Sequence, residues 1–480
     1  MNRNALRSNR RPFAARSSAA SRAGVLAALA LPLAATGLAS AGDCLGGARA
    51  VEDQVVLRLA PGASIAAVLA DAQAQFPGLS VIASIPAIRA WQIAVPEPLC
   101  ESEVVDVLED DPRILEITLN AIEESSEGQT QSFYFISIES AFSNQPVWDH
   151  IGLPIAHQLG RGAGTTVAIV DSGIDASHPV FANATILPGL SFLEGGPLDA
   201  GDGIDNDNDG VTDESVGHGT HLTGVIAKMA PDAAILPIRV LDSDGLTNVF
   251  MLSQGIAAAI TAGADVINVS IATESTAGIL DDIVALAVAQ GRIVVASAGN
   301  FGNETMQYPA SLPGVFSIGS TAISDIKSAF SSYGDTLDLC APGDAIVGPI
   351  PGGQSGPQYG SWSGTSMSAA LVSGAVTLAI ARAESASAGL AALIATVEPL
   401  DALNPNYVGK LGFGRIDIGA AMQAIPAFLP EDLNQDGSVN SADLAILLGA
   451  WGSCKACAAD LDGDGTVGAA DLSLLLGAWG

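Results

Sequence analysis

An α/β fold built on a doubly wound parallel sheet is the class this sequence predicts for its central part, with a small α+β unit before it and a small helical unit after it. Three observations carry that prediction. Strand-length apolar runs alternate with helix-length stretches in the order TVAIV, HLTGVIAKM, ILPIRVL, VFMLSQGIAAAITAG, VINVSI, ILDDIVALAVAQ, IVVASA, a pattern that covers a parallel sheet with helices on both faces. Asp171 follows TVAIV, Ser270 ends VINVS and Asn300 follows IVVASAG, on the edge where parallel sheets collect functional groups. A chain of 480 residues also exceeds what one core organises and suggests about three units.

Residues 1–41 hold six arginines and no acid, then an apolar run from Val25 to Leu38 broken by Pro32, then Ala39-Ser40-Ala41. This is the pattern of a secretory signal, too short and too interrupted for a spanning helix. It predicts a secreted or cell-surface-associated protein with no membrane span. Beyond residue 41, 13 basic residues face 51 acidic ones, a balance that repels nucleic acid and anionic membranes. Five cysteines suit an oxidising compartment. Cys454 and Cys457 lack the second ligand pair of a zinc site and read as a local disulfide. Cys44 and Cys100 are candidates to pair, and Cys340 reads as a small buried hydrophobe.

Between Val51 and Asn120 the segments VVLRLA, SIAAVLADAQAQF, LSVIASI, AWQIAV, ESEVVDVLED and ILEITL give strand, helix, strand, strand, helix, strand. That is the order of a split β-α-β unit. Residues 42–127 are assigned to this ferredoxin-like α+β unit, and the polar stretch 122–132 reads as a linker. The doubly wound unit is assigned to residues 133–426.

Three segments of that unit carry chemistry: VAIVDSGID around Asp171, GHGTHLTG around His218 and GTSMSAALVSG around Ser366. A serine hydroxyl is a poor nucleophile near neutral pH, so an imidazole must take its proton as it attacks. His218 suits that role. The imidazole needs a carboxylate on its other nitrogen to fix the tautomer and support the transient charge, and Asp171 supplies one.

The order Asp, His, Ser resembles the subtilisin-like serine proteases and differs from the orders of chymotrypsin-like proteases and α/β-hydrolases. INVS at Ser270, YPAS at Tyr308, AFSSYG at Ser332 and LCAPG at Pro342 extend the resemblance in the family's order. It implies that the Asn300 amide and the Ser366 backbone N–H stabilise the oxyanion. It also implies a substrate pocket with Ser270, Ile271 and Ala272 on one wall, Ala298 and Gly299 on the other and Gln307 at its base. Placed before such a domain, residues 42–127 resemble the family's inhibitory propeptide. Ala272 stands where the family has Gly, Ala370-Leu371 where it has Pro and often His, and Leu222 where it has Val. His221 is expected to pack beside the site, and His150, His157 and His178 to be structural.

Acidic loops form the remaining pattern. Asp205, Asp207 and Asp209 alternate before Gly210, with Asp213 or Glu214 placed to close the loop, a spacing that wraps oxygen ligands round calcium. DLNQDGSVNSADLAILLGAWG and DLDGDGTVGAADLSLLLGAWG repeat 28 residues apart. Asp432, Asn434, Asp436, Asn440 and Asp443 fall at loop positions 1, 3, 5, 9 and 12, while Asp460, Asp462, Asp464 and Asp471 match them with Gly468 at position 9. Paired loops of this sort resemble dockerin modules, which bind cohesin domains of scaffold proteins, and residues 430–480 are assigned to one. Their helices are expected to pack together or against a partner.

Taken together these features predict a secreted serine endopeptidase with structural calcium, made as a zymogen held by its own propeptide and carrying a docking module. Its partners would be protein or peptide substrates and a cohesin-type scaffold. The competing readings are a catalytically inactive binding or scaffold protein on the same fold and a non-proteolytic acyl hydrolase.

Overall fold

The structure is a computed structural model that describes residues 44–45, 48–125, 135–273, 278–353, 356–383, 385–426, 429–434, 438–454 and 457–479. The signal segment expected at 1–41, part of the linker and the ligand expected at Asp436 lie outside them.

The N-terminal unit has the expected order: β1 (Ala50–Leu59), α1 (Ile65–Ala72), β2 (Ser80–Ile85), β3 (Ala90–Ala94), α2 (Glu101–Leu108) and β4 (Ile114–Ser125). Its strands lie in the order β4-β1-β3-β2, each pair antiparallel. Because strand side chains alternate between faces, β1 works in two directions. Val55, Leu57 and Leu59 pack on Val68 and Leu69 of α1 and Val104 and Leu108 of α2. Val56 points the other way and, with Ile85 and Ala90, joins a core belonging to the central unit. Cys44 and Cys100 are joined in a disulfide.

The central unit contributes β5 (Phe135–Ser137), β6 (Thr166–Asp171), β7 (Thr185–Ile186), β8 (Leu190–Ser191), α3 (His218–Met229), β9 (Ala234–Arg239), β10 (Leu246–Asn248), α4 (Val249–Thr261), β11 (Val266–Val269), β12 (Ile271–Ala272), α5 (Gly278–Ala289), β13 (Ile293–Ser297), β14 (Phe316–Thr321), β15 (Leu339–Pro342), β16 (Ile346–Gly353), β17 (Gly356–Trp362) and α6 (Thr365–Ala383). The main sheet runs β15-β14-β13-β11-β6-β9-β7 with every neighbour parallel. Alternation along β6 decides which helices cover which face. Val167 and Ile169 pack with α3 and α6, whereas Ala168 and Val170 pack with α4 and α5. The predicted doubly wound α/β fold is therefore observed, with the N-terminal unit laid over the α4–α5 side. Among the described residues only α6 is long and apolar enough to cross a membrane, and it is the buried helix through the middle of the core.

In the C-terminal unit, α7 (Ser441–Gly449) and α8 (Ala469–Gly477) pack through Leu447 and Leu475, both fully buried. Two short strands, β18 (Gly452–Ser453) and β19 (Thr466–Val467), pair antiparallel beside them. Cys454 and Cys457 form a disulfide. Cys340 is a free, buried thiol that burial pushes up to about 12.

Candidate active site

Strand ends and helix starts bring the predicted residues together. Asp171 is the last residue of β6, His218 the first of α3 and Ser366 the second of α6. Asp171 Oδ1 accepts from His218 Nδ1 at 2.7 Å and from the Ser172 backbone N–H at 2.8 Å. Both side chains are 1% exposed, so the pair interacts with little solvent screening. Because Nδ1 carries the proton in that bond, Nε2 is the basic nitrogen of a neutral imidazole.

Asp199, which sequence reasoning missed, braces this pair. The residue before α3 is Gly217, at φ +97°, which has no side chain to cap the helix. The Asp199 carboxylate does so instead, accepting from Gly217 N–H at 2.9 Å, Thr220 N–H at 3.0 Å and Thr220 Oγ1 at 2.6 Å. Ser172 Oγ donates to the same carboxylate at 3.2 Å and accepts from Gly219 N–H at 2.9 Å. The loop after Asp171 and the first turn of α3 are thus sewn together behind the imidazole. Burial raises the Asp199 carboxyl above its ordinary range. No local motif marks Asp199, which lies 19 residues before His218 in a polar loop.

On the nucleophile side, Ser366 Oγ lies 3.4 Å from the Ser270 carbonyl. Asn300 Oδ1 accepts from both the backbone N–H and Oγ1 of Thr365, each at 2.9 Å. Two donors on that oxygen fix the orientation of the Asn300 amide beside the first turn of α6, where the helix dipole favours negative charge. Thr365 is a second residue the sequence reading passed over, although it directly precedes the nucleophile. Trp362 stands edge-on to His218 and His221, with ring centroids 5.3 and 5.9 Å away. His221 is fully buried, donates from Nε2 to the Ile346 carbonyl at 3.0 Å, and burial holds it down to about 4. His150, His157 and His178 bond to Asp325, Met229 and Gln358, away from the centre.

The residues expected to line a pocket are buried. Ser270, Ile271, Ala272 and Ala298 are at most 1% exposed and Gln307 is 3% exposed. Gly299 has φ +101°, and a Cβ there would sit 2.1 Å from Gln307 Oε1. The Gln307 side chain therefore packs directly against that glycine. The strand carrying Ile271 and Ala272 is paired: β4 runs antiparallel to β12, Glu124 opposite Ala272 and Ser125 opposite Ile271. On its other side β4 pairs with β10, from Ile122↔Asn248 to Glu124↔Leu246.

Two acidic loops share one hydrogen-bond pattern. Asp205 Oδ2 accepts from Gly210 N–H at 3.0 Å, Asp207 Oδ1 from Asp209 N–H at 3.0 Å and Asp209 Oδ1 from Val211 N–H at 2.7 Å. At the C-terminus, Asp460 Oδ2 accepts from Gly465 N–H at 2.8 Å, Asp462 Oδ1 from Asp464 N–H at 3.1 Å and Asp464 Oδ1 from Thr466 N–H at 2.7 Å. In each loop one oxygen from each of the three aspartates falls within 4.8 Å of the others. Asp205 Oδ1 and Asp460 Oδ1 are buried with no protein partner among the described residues. A hard dication fits such a set of convergent oxygens. The closing acids differ. Asp471 accepts from Leu461 and Gly468 N–H, both at 2.7 Å, and Asp443 from Asn434 and Asn440 N–H at 3.0 and 2.8 Å. Asp213, expected with the first cluster, is not brought into it: its carboxylate accepts from Asp202 N–H at 2.9 Å and Gly203 N–H at 3.2 Å, tying down a neighbouring turn. Beside it, both Glu214 oxygens are buried with no partner among the described residues, and burial pushes that carboxyl up to about 7.

Residues 162–401 match the subtilase family and residues 430–477 the type I dockerin domain. The chain is 34% identical over 284 residues to thermitase of Thermoactinomyces vulgaris, covering 57% of this chain and 94% of thermitase. It is 35% identical over 246 residues to subtilisin NAT of Bacillus subtilis subsp. natto, covering 48% of this chain and 60% of that protein. In three dimensions it resembles fervidolysin of Fervidobacterium pennivorans, a keratinolytic enzyme related to subtilisin, with a TM-score of 0.62 at 20% identity over 78% of this chain and 62% of that one.

Proposed function

Since this chain belongs to the subtilase family of serine endopeptidases and carries a type I dockerin domain, we propose that it hydrolyses peptide bonds through an acyl-enzyme on Ser366. The buried 2.7 Å contact between Asp171 and His218 carries this reading. His218 Nε2 takes the Ser366 proton as Oγ bonds to the scissile carbonyl carbon, and Asp171 supports the imidazolium that forms. The oxyanion accepts from the Asn300 amide and the Ser366 N–H. His218 then hands its proton to the leaving amine, and water attacks the acyl-enzyme by the reverse sequence. Purified protein freed of residues 42–127 should digest an unfolded protein, and the Ser366→Ala variant should not. Hydrolysis of small esters alone would favour the acyl-hydrolase reading.

Residues 42–127 act as an inhibitory propeptide, because β4 occupies the groove between β10 and β12 that a substrate strand would need. Residues 1–41 direct export. Calcium held by Asp205, Asp207 and Asp209, by Asp460, Asp462, Asp464 and Asp471, and by the first repeat's Asp432, Asn434, Asn440 and Asp443 supplies structural charge neutralisation and no chemical step. The C-terminal module docks on a cohesin-type domain. Ile446, Leu448 and Trp451 and their repeats Leu474, Leu476 and Trp479 are 42–52% exposed even though Leu447 and Leu475 are buried, which leaves matching apolar faces for a partner. Co-elution with a cohesin domain in calcium and its loss in chelator would support the docking role, and independence from calcium would count against it.

A further inference from the structure

We propose that the Cys44–Cys100 disulfide is a redox latch: oxidised, it keeps the end of β4 in the cleft, and a small thiol that reduces it frees the enzyme; this rests on residues 42–127 acting as the propeptide and on Ser366 as the nucleophile. From Val55 to Arg58, β1 pairs with Leu119 to Glu116 of β4 without a break, but the register then jumps and the next pair is Ala50↔Ala121. The arm formed by residues 48–50 is thus not carried by the ladder. It nevertheless lies on the part of β4 that enters the cleft. Ile122 donates its N–H to the Arg49 carbonyl at 3.0 Å, and Arg49 Nη1 donates to Glu124 Oε2 at 2.7 Å. Ile122 faces Asn248 of β10, and Glu124 faces Ala272 of β12. The arm therefore backs the residues that fill the groove.

The disulfide fixes the other end of that arm. Cys100 stands at the start of α2, and Ser102 donates its N–H to the Cys44 carbonyl at 3.4 Å. With residues 1–41 removed on export, Cys44 is the third residue of the chain. A chain end without the covalent tie relies on a few backbone bonds and on an ion pair whose Arg49 side chain is 52% exposed, and such an end frays. The same bond stabilises the whole unit. Its own core is small, and Val56, Ile85 and Ala90 are committed to the core of the central unit, so little holds it folded once it is cut free. A bridge between residues 56 apart shifts the folding equilibrium by about a thousandfold, and an inhibitor binds in proportion to its folded fraction. Both cysteines are partly exposed, within reach of a thiol. One thiolate attacks a sulfur of the bridge and a second resolves the mixed disulfide. Two thiols are oxidised to one disulfide as Cys44 and Cys100 are reduced.

Access to Ser366 is read as the rate of fluorophosphonate labelling of the full-length protein, with and without dithiothreitol, while alkylation of Cys44 and Cys100 is followed by mass spectrometry. Dithiothreitol is expected to speed labelling by about tenfold or more, in step with alkylation at those two positions. The Cys454→Ser/Cys457→Ser variant should respond equally, since that disulfide lies in the C-terminal unit; a lost response there overturns the latch. Cys44→Ala/Cys100→Ala should label at the fast rate without thiol and gain nothing from it. Labelling of the wild type that stays slow when both cysteines are alkylated overturns the latch whether or not that variant folds. Protein freed of residues 42–127 separates the readings beneath. If it takes up no label, the catalytic reading fails; if it labels no faster than the oxidised full-length protein, the propeptide reading fails.

Discussion

The active centre and the C-terminal acidic repeat place their charged groups in opposite ways. In the centre, Asp171 and His218 are 47 residues apart and meet only because a strand end and a helix start are held side by side. In the repeat, Asp460, Asp462 and Asp464 converge within one turn of chain, through hydrogen bonds that span two to five residues. The difference teaches where fragility lies. A locally specified loop carries its geometry in its own sequence, whereas the centre depends on bracing groups supplied from elsewhere. The Asp205 loop shows both principles at once: its first seven residues reproduce the repeat's bonds, but its closing acids depend on tertiary surroundings, and there Asp213 turns away.

The sharpest test of this contrast removes one polar side chain from each side. Asn300→Ala should lower kcat about 10²- to 10³-fold with KM little changed, the cost known for the matching donor in a subtilisin. Asp460→Ala should leave kcat unchanged. Steady-state kinetics on a peptide substrate checks both, and a fall in kcat for Asp460→Ala would break the contrast.

Acid should expose the price of the centre's buried imidazole. His221 is neutral in the fold, held down to about 4 by burial, but in the unfolded chain it titrates near 6.5. Unfolding therefore takes up a proton between those values, so stability is full above pH 6.5 and falls as pH drops toward 4. The loss is on the order of 3 kcal/mol from this residue. Urea titrations of the inert Ser366→Ala protein at pH 7.5 and 4.5 measure it, and His221→Gln should flatten the difference.

Legibility in the sequence follows the same division. The alternating strand and helix runs, the three triad segments and the position 1, 3 and 5 aspartates were all readable, because each is a local pattern whose physical consequence is local. Asp199 was not, since a carboxylate in a polar loop gains meaning only when Gly217 and Thr220 fold onto it. Thr365 was hidden for a similar reason: its hydroxyl orients Asn300, 65 residues away. Asp213 was misplaced because spacing alone cannot choose between a metal and the backbone N–H groups of Asp202 and Gly203.

Two smaller effects refine the comparison. Chelation of the metal-loaded protein should lower Tm by the linked binding energy, about 2.7 kcal/mol for calcium at 100 times its Kd. Calorimetry of Asp205→Ala and Asp460→Ala should assign the shift, with Asp205→Ala moving the catalytic domain's transition and Asp460→Ala leaving it in place. Asp199→Asn should reduce kcat by about tenfold, since the amide nitrogen faces donors and its unmet bonds cost about 1–3 kcal/mol. The acid limb of its kcat/KM profile should also move to lower pH, because a buried negative charge near His218 no longer favours the imidazolium. A drop in activity with an unmoved profile would make Asp199 merely a helix cap.

The central claim is that Asp171 and His218 activate Ser366, and covalent labelling tests it most directly. After release of the prodomain, a fluorophosphonate should modify the protein stoichiometrically, with the adduct mapped to Ser366 and absent from Ser366→Ala. A folded, prodomain-free protein that takes up no label at Ser366 would contradict the account.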